Sequence, residues 1–70
     1  MRTIESFSTP GGHATRPGAV ILVDRGAKGV AHRYVTAWRG TGDDSWCWGH
    51  YFNDLDEARA DFTSRCKRGY

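Results

Sequence analysis

The sequence predicts a small α+β domain, a three- or four-stranded antiparallel meander with one C-terminal helix packed on one face. Three observations carry this. Ala19 to Asp24 (AVILVD) is an unbroken apolar run of strand length. Two more strand-like segments follow it, each reached through a glycine-bearing turn, and an amphipathic helix with signals at both ends closes the chain. At 70 residues the chain makes one domain, residues 1–70, with little apolar mass to spare.

Thr3 to Phe7 is a short first strand candidate, with Ile4 set among polar neighbours. Ser8 to Gly18 (STPGGHATRPG) combines prolines with glycine, serine and threonine and reads as a loop or arm. The run AVILVD, rich in branched side chains, suits a strand covered on both faces. Arg25 to Gly29 (RGAKG) places its glycines as a hairpin turn does, and Val30 to Arg39 resumes as a strand. Gly40 to Asp44 (GTGDD) turns the chain again, and Ser45 to Phe52 returns.

The helix has the clearest local chemistry. Asp54 followed by Glu57 forms an aspartate version of the capping box, with Asn53 an alternative cap. Acids crowd the first turn and Arg65, Lys67 and Arg68 the last, matching the helix dipole, and Gly69 supplies a stop. Leu55, Ala58, Phe62 and Cys66 fall on one stripe, the face that would lie on the core.

Strict alternation puts Tyr34, Thr36 and Trp38 on one side of their strand, and Trp46, Trp48, His50 and Phe52 on one side of the next. Arg33, Val35, Ala37, Arg39, Cys47, Gly49 and Tyr51 then take the opposite side. One helix covers one face, so two arrangements are open. Either the helix seals the aromatic side and leaves the arginine-bearing side in water, or it seals the small residues and exposes an aromatic patch larger than monomers usually tolerate. Both leave arginine, tryptophan or tyrosine at the surface, the residues that binding hot spots favour.

The net charge of +2 hides an uneven distribution. Residues 1–39 carry six bases against two acids, residues 40–62 six acids against Arg59, and the tail is basic again. A chain with this dipole differs from a sequence-independent nucleic-acid binder, which shows a stronger basic excess. No apolar run approaches the roughly 20 residues of a membrane span, and the start, MRTIESFSTPGG, lacks the apolar core of a secretory signal. The expectation is cytoplasmic residence with two reduced thiols, since two cysteines are too few for a disulfide scaffold.

Catalytic and metal chemistry are disfavoured. Cys47 and His50, with Cys66 and either His13 or His32, invite a zinc reading, but residues three apart on a regular strand point to opposite faces. A bulge at Gly49 would rescue that geometry. The same separation argues against a Cys–His nucleophile, and Gly11, Gly12 and Gly18 match no phosphate-loop spacing. The sequence therefore predicts no cofactor, no metal and no enzymatic activity. Stacking of bases on Tyr34, Trp38, Trp46 and Trp48, with Arg33, Arg39 and Arg16 near phosphates, is the competing reading.

Across residues 33 to 66, and most clearly at SWCWGHYFNDLDEARADF, the chain resembles in style the short, arginine-rich proteins carried by phages and other mobile elements. In these, a hydrophobic strand ends in an aromatic pair and an acid-capped helix follows. They include anti-CRISPR inhibitors, which occlude a nuclease or its DNA-binding surface without catalytic residues. The resemblance implies a non-catalytic binding protein whose partner is a host protein or ribonucleoprotein complex such as a CRISPR-Cas effector; the chain itself is expected as a monomer or, where an aromatic patch is exposed, a homodimer. The interface candidates are Arg33, Arg39, Trp38, Trp46, Trp48 and Tyr51, with Arg16 and Lys28 as electrostatic helpers.

Overall fold

In the computed structural model, which describes residues 1–11, 16–26 and 31–70, four strands precede one helix. They are β1 (Arg2–Thr9), β2 (Gly18–Asp24), β3 (Tyr34–Gly40), β4 (Cys47–Phe52) and α1 (Leu55–Arg68). The strands form one sheet in the order β1-β2-β3-β4, every neighbouring pair antiparallel. This is the predicted α+β meander in its four-stranded form. Among the described residues no helix is long and apolar enough to cross a membrane.

Some boundaries differ from the sequence reading. Ser8, Thr9 and Gly18, expected in the arm, belong to strands, because β1 and β2 stay paired from Arg2↔Asp24 to Thr9↔Gly18. β3 starts at Tyr34 and β4 at Cys47, while Val30, Lys28 and the rest of 27–30 lie outside the described residues, as does His13. The helix starts at its predicted cap, but Asp54 accepts from the Asp56 N–H at 2.8 Å, one residue short of a capping box. Gly69 ends it in the left-handed conformation, φ 93°, its N–H donating to the Arg65 carbonyl.

α1 lies on the side of the sheet that carries Tyr34 and Trp38, the first of the two arrangements. Ala58 and Phe62 close over Val20, Leu22 and Trp38, with Ile4, Tyr34, Phe52, Leu55 and Cys66 around them. Trp38, only 4% exposed, is the largest side chain there. Its indole lies flat across Gly18, where an added Cβ would fall 2.5 Å from Cζ2. Its Nε1–H donates to Thr9 Oγ1 at 3.3 Å, so the ring is buried without orphaning its polar atom. Burying an indole removes roughly 200 Å² from water, about 5 kcal/mol as an upper figure.

The side away from the helix is not left open as expected. Ile21, Val23, Val35 and Ala37 are almost wholly buried there, with Ala19 and Trp46 packed against them. The Tyr51 ring also folds over Gly49, its atoms about where a Cβ at that glycine would touch, at 3.1 Å. Short residues in the middle of the sheet let a few rings from β4 and its approach shelter it.

β4 also breaks the assumed alternation. Thr36 faces His50 but Trp38 faces Cys47, so Trp48 and Gly49 together oppose Ala37. Such a bulge resets the pleat. Trp46 therefore joins the far-side cluster and Cys47 comes to the helix side, each opposite to its predicted face. Cys47 and Cys66 are both free thiols, and Cys66 is packed into the helix-side core, where burial and then Glu5 raise its pKa.

Arg65 is the largest surprise. Read from the sequence as one of the last-turn bases that match the helix dipole, it is 1% exposed. Its Nη1 donates to the Thr36 carbonyl at 3.1 Å and to Thr36 Oγ1 at 3.3 Å. The Thr36 hydroxyl in turn donates to Asp61, whose Oδ2 also lies 2.9 Å from His50 Nδ1. An ionised carboxylate only accepts, so Nδ1 carries the imidazole hydrogen. Burial lowers the Arg65 pKa, opposed by the charge of Asp61. At Asp61 burial pushes upward, but the hydrogen bonds from Thr36 and His50 outweigh it and hold the carboxyl below its usual range. This network stitches one face of α1 to β3 and β4. Arg65→Ala, which takes the donor from the Thr36 carbonyl and hydroxyl and empties a buried volume, is expected to cost about 2–3 kcal/mol in urea unfolding, whereas Lys67→Ala, exposed on the same turn, should stay within about 0.5 kcal/mol.

Candidate functional site

Three aromatic residues and two arginines gather where β3 ends, β4 begins and α1 stops. The Trp48 ring stands 5.4 Å from that of Trp38, and the Tyr70 ring meets it edge-on at 5.6 Å. Guanidinium groups close both ends of the row: Arg16 lies 5.4 Å over Trp38 and Arg68 5.0 Å over Tyr70. The order is therefore Arg16, Trp38, Trp48, Tyr70, Arg68. Contacts of this kind contribute about 0.5–1 kcal/mol each when exposed.

Local chemistry positions each member. Arg16 is ion-paired with Asp43 in the turn after β3, and its guanidinium lies against Gly40, where a side chain would collide with it. Arg68 also donates to the Tyr70 carbonyl at 3.1 and 3.3 Å, which brings the ring back beside Trp48. Trp48 itself sits at φ 56°, the one left-handed non-glycine among the described residues. Its ring is half in water, at 50% exposure. For a bulky L-residue that backbone costs about 1–2 kcal/mol, and such outliers cluster where a side chain must be aimed.

The remaining predicted interface residues divide. Trp46 and Arg39 lie on the far side, Trp46 packed on Ile21, Val23, Val35 and Ala37, and Arg39 exposed beside Ala19. Tyr51 is also there, half-exposed, with Arg25 5.4 Å over its ring and His32 at 6.4 Å. Arg33 is at the other end of the sheet and is engaged: Nε and Nη2 reach Asp24 at 2.9 and 3.0 Å. Lys28 lies outside the described residues. The structure thus brings together Arg16, Trp38 and Trp48 and separates them from Arg33, Arg39, Trp46 and Tyr51. Tyr70 and Arg68 complete the platform and were not anticipated.

The bulge puts Cys47 and His50 on one side, which regular alternation forbids, and His50 is held by Asp61. Among the described residues no group of three or more His, Cys, Asp and Glu side chains could hold a metal ion. No protein family model, curated protein or solved structure matches the chain.

Two outcomes follow. Trp48→Gly and Trp48→Ala both delete the indole, but only glycine relaxes the left-handed backbone, so the glycine variant should be the more stable by about 1 kcal/mol in urea unfolding. At the other end, the hydrogen bond from Arg33, helped by the Gly26 N–H, lowers the Asp24 pKa from 3.8 to about 2. A pKa depressed by folding stabilises the fold above the unfolded value. That contribution should fade as pH falls from 3.8 to about 2, and Asp24→Asn should flatten this limb of the acid unfolding curve.

Proposed function

We propose that this protein is a non-catalytic macromolecule-binding module that engages a host protein or ribonucleoprotein complex through Trp48 and Tyr70. The observation that carries the reading is Trp48, kept in a costly backbone conformation with half its ring in solvent. Glycine would satisfy the bulge at less cost, so folding alone does not account for an indole there. A ring supported from behind by Trp38 and at its edge by Tyr70 loses little conformational freedom on binding. Arg16 and Arg68 supply the charged rim, and tryptophan, tyrosine and arginine are the residues enriched at the energetic centres of interfaces.

The nature of the partner rests on the resemblance to phage-borne inhibitors. It points to a bacterial CRISPR-Cas effector, occluded in the cytoplasm of the host. Binding by occlusion requires shape and anchors, not a reactive group, and the platform offers both. An aromatic row flanked at both ends by guanidinium groups supports a second reading, in which bases of a single strand stack on Trp48 and Tyr70.

Salt separates the two. An aromatic anchor in a protein interface should hold purified effector complexes at high salt, and Trp48→Gly should release them while its circular dichroism stays that of the parent. Binding to single-stranded oligonucleotides that weakens steeply with salt, with no retention of effector, would transfer the function to the second reading. Equal retention by the parent and Trp48→Gly would remove the platform from either role.

A further inference from the structure

Among the described residues, nothing pairs with the outer edge of β1. As the first strand in the order β1-β2-β3-β4, it offers one row of backbone groups to solvent. The opposite edge, β4, is interrupted by the bulge at Trp48 and Gly49. After its own irregularity between Thr3 and Glu5, β1 runs in regular register from Glu5↔Leu22 to Thr9↔Gly18. That stretch, ESFST, contains neither proline nor lysine, the usual blocks on edge pairing.

Beyond Ile4, which packs in the helix-side core, the helix leaves the Phe7 end of this strand uncovered. α1 packs over β2, β3 and β4, and reaches β1 through the ion pair of Arg59 with Glu5. Phe7 pairs with Val20 and so stands on the helix side, beyond the cover of the helix, 47% exposed. It is a large apolar side chain on an open edge.

We propose that two copies of this chain associate by antiparallel pairing of β1 with β1 about a two-fold axis through Phe7. The register follows from the regular segment. Centred on Phe7, residues 5–9 of each copy pair entirely within it: Phe7 with Phe7, Ser6 with Ser8, Glu5 with Thr9. Each pair joins residues of the same face, as the pleat requires. The two phenyl rings then meet in the trough between the two helices, one continuous sheet beneath them.

Electrostatics permit it. Glu5 is the one charged residue in the segment, and Arg59 of its own chain neutralises it. Opposite Thr9 of the second copy it meets no like charge. A centre two residues earlier, on Glu5, would bring the two carboxylates face to face, a destabilising pair. The contact is five residues long, short of the roughly 1,200–2,000 Å² buried by stable interfaces, so the dimer is reversible and concentration-dependent. It uses a surface separate from the Trp48 platform, leaving one platform at each end of the assembly.

Sedimentation velocity from micromolar to millimolar concentration tests this. The parent should pass from monomer to dimer, and Phe7→Lys should remain monomeric with an unchanged far-ultraviolet circular dichroism spectrum. Register is tested by oxidation in a Cys47→Ser, Cys66→Ser background. Phe7→Cys faces itself with Cβ atoms about 5 Å apart and should cross-link, whereas Ser8→Cys, which faces Ser6, should not. A parent that stays monomeric throughout, equal cross-linking at both positions, or association abolished by Trp48→Gly and spared by Phe7→Lys would overturn the proposal.

Discussion

One extra residue in β4 decides how this molecule is arranged. Because Trp48 and Gly49 share the place opposite Ala37, every side chain before them is turned over relative to an unbroken strand. Trp46 goes to the far side, where it packs on the small apolar residues of β2 and β3. Trp48 is thrown outward at the rim between Trp38 and Tyr70. Without the bulge, Trp46 would share the helix side with Trp38, the far side would lose its cover, and the platform would not exist. The two halves of the core and the candidate site therefore have a common cause.

The helix is held by two different kinds of contact. Along one line, Ala58 and Phe62 press on Val20, Leu22 and Trp38, a contact that tolerates small shifts. Along the other, Arg65, Thr36, Asp61 and His50 form a hydrogen-bonded chain whose donors and acceptors fit in one alignment. A buried cation is poorly suited to adding stability, since its desolvation opposes the gain from its partners. It is well suited to fixing register: sliding α1 by one residue would leave Arg65 and the Thr36 carbonyl unmatched. That precision matters at the helix end, where Arg68 and Tyr70 must arrive beside Trp48.

Most of the architecture was legible in the residues. AVILVD announces a strand covered on both faces, and β2 is buried on both; Asp54 and Gly69 bound the helix as read. Faces were harder. Alternation is reliable while the pleat is unbroken, and the clue to its failure was Gly49, a glycine inside an apolar strand. Arg65 escaped because a base in the last helical turn is normally solvated. Two clues stood nearby: Asp61 one turn earlier on the same face, and Thr36, a lone hydroxyl in the middle of YVTAW. Tyr70 and Arg68 lie past the aromatic cluster in sequence; Gly69 marks the helix stop, but the direction in which it sends the Tyr70 ring, back onto Trp48, is not written in the residue types.

The strand order has a kinetic meaning. Every strand neighbours the one before it in the chain, so the sheet can assemble by successive hairpins, each closing a modest loop at small entropic cost. The longest-range contacts come with α1, as in the pairing of Arg59 with Glu5 across 54 residues. The sheet can thus form before the α1 segment docks on it. Until that segment docks, Trp38 and the apolar row around it stand bare, and the last fourteen-residue helix acts as the clasp that ends the chain's exposure to aggregation.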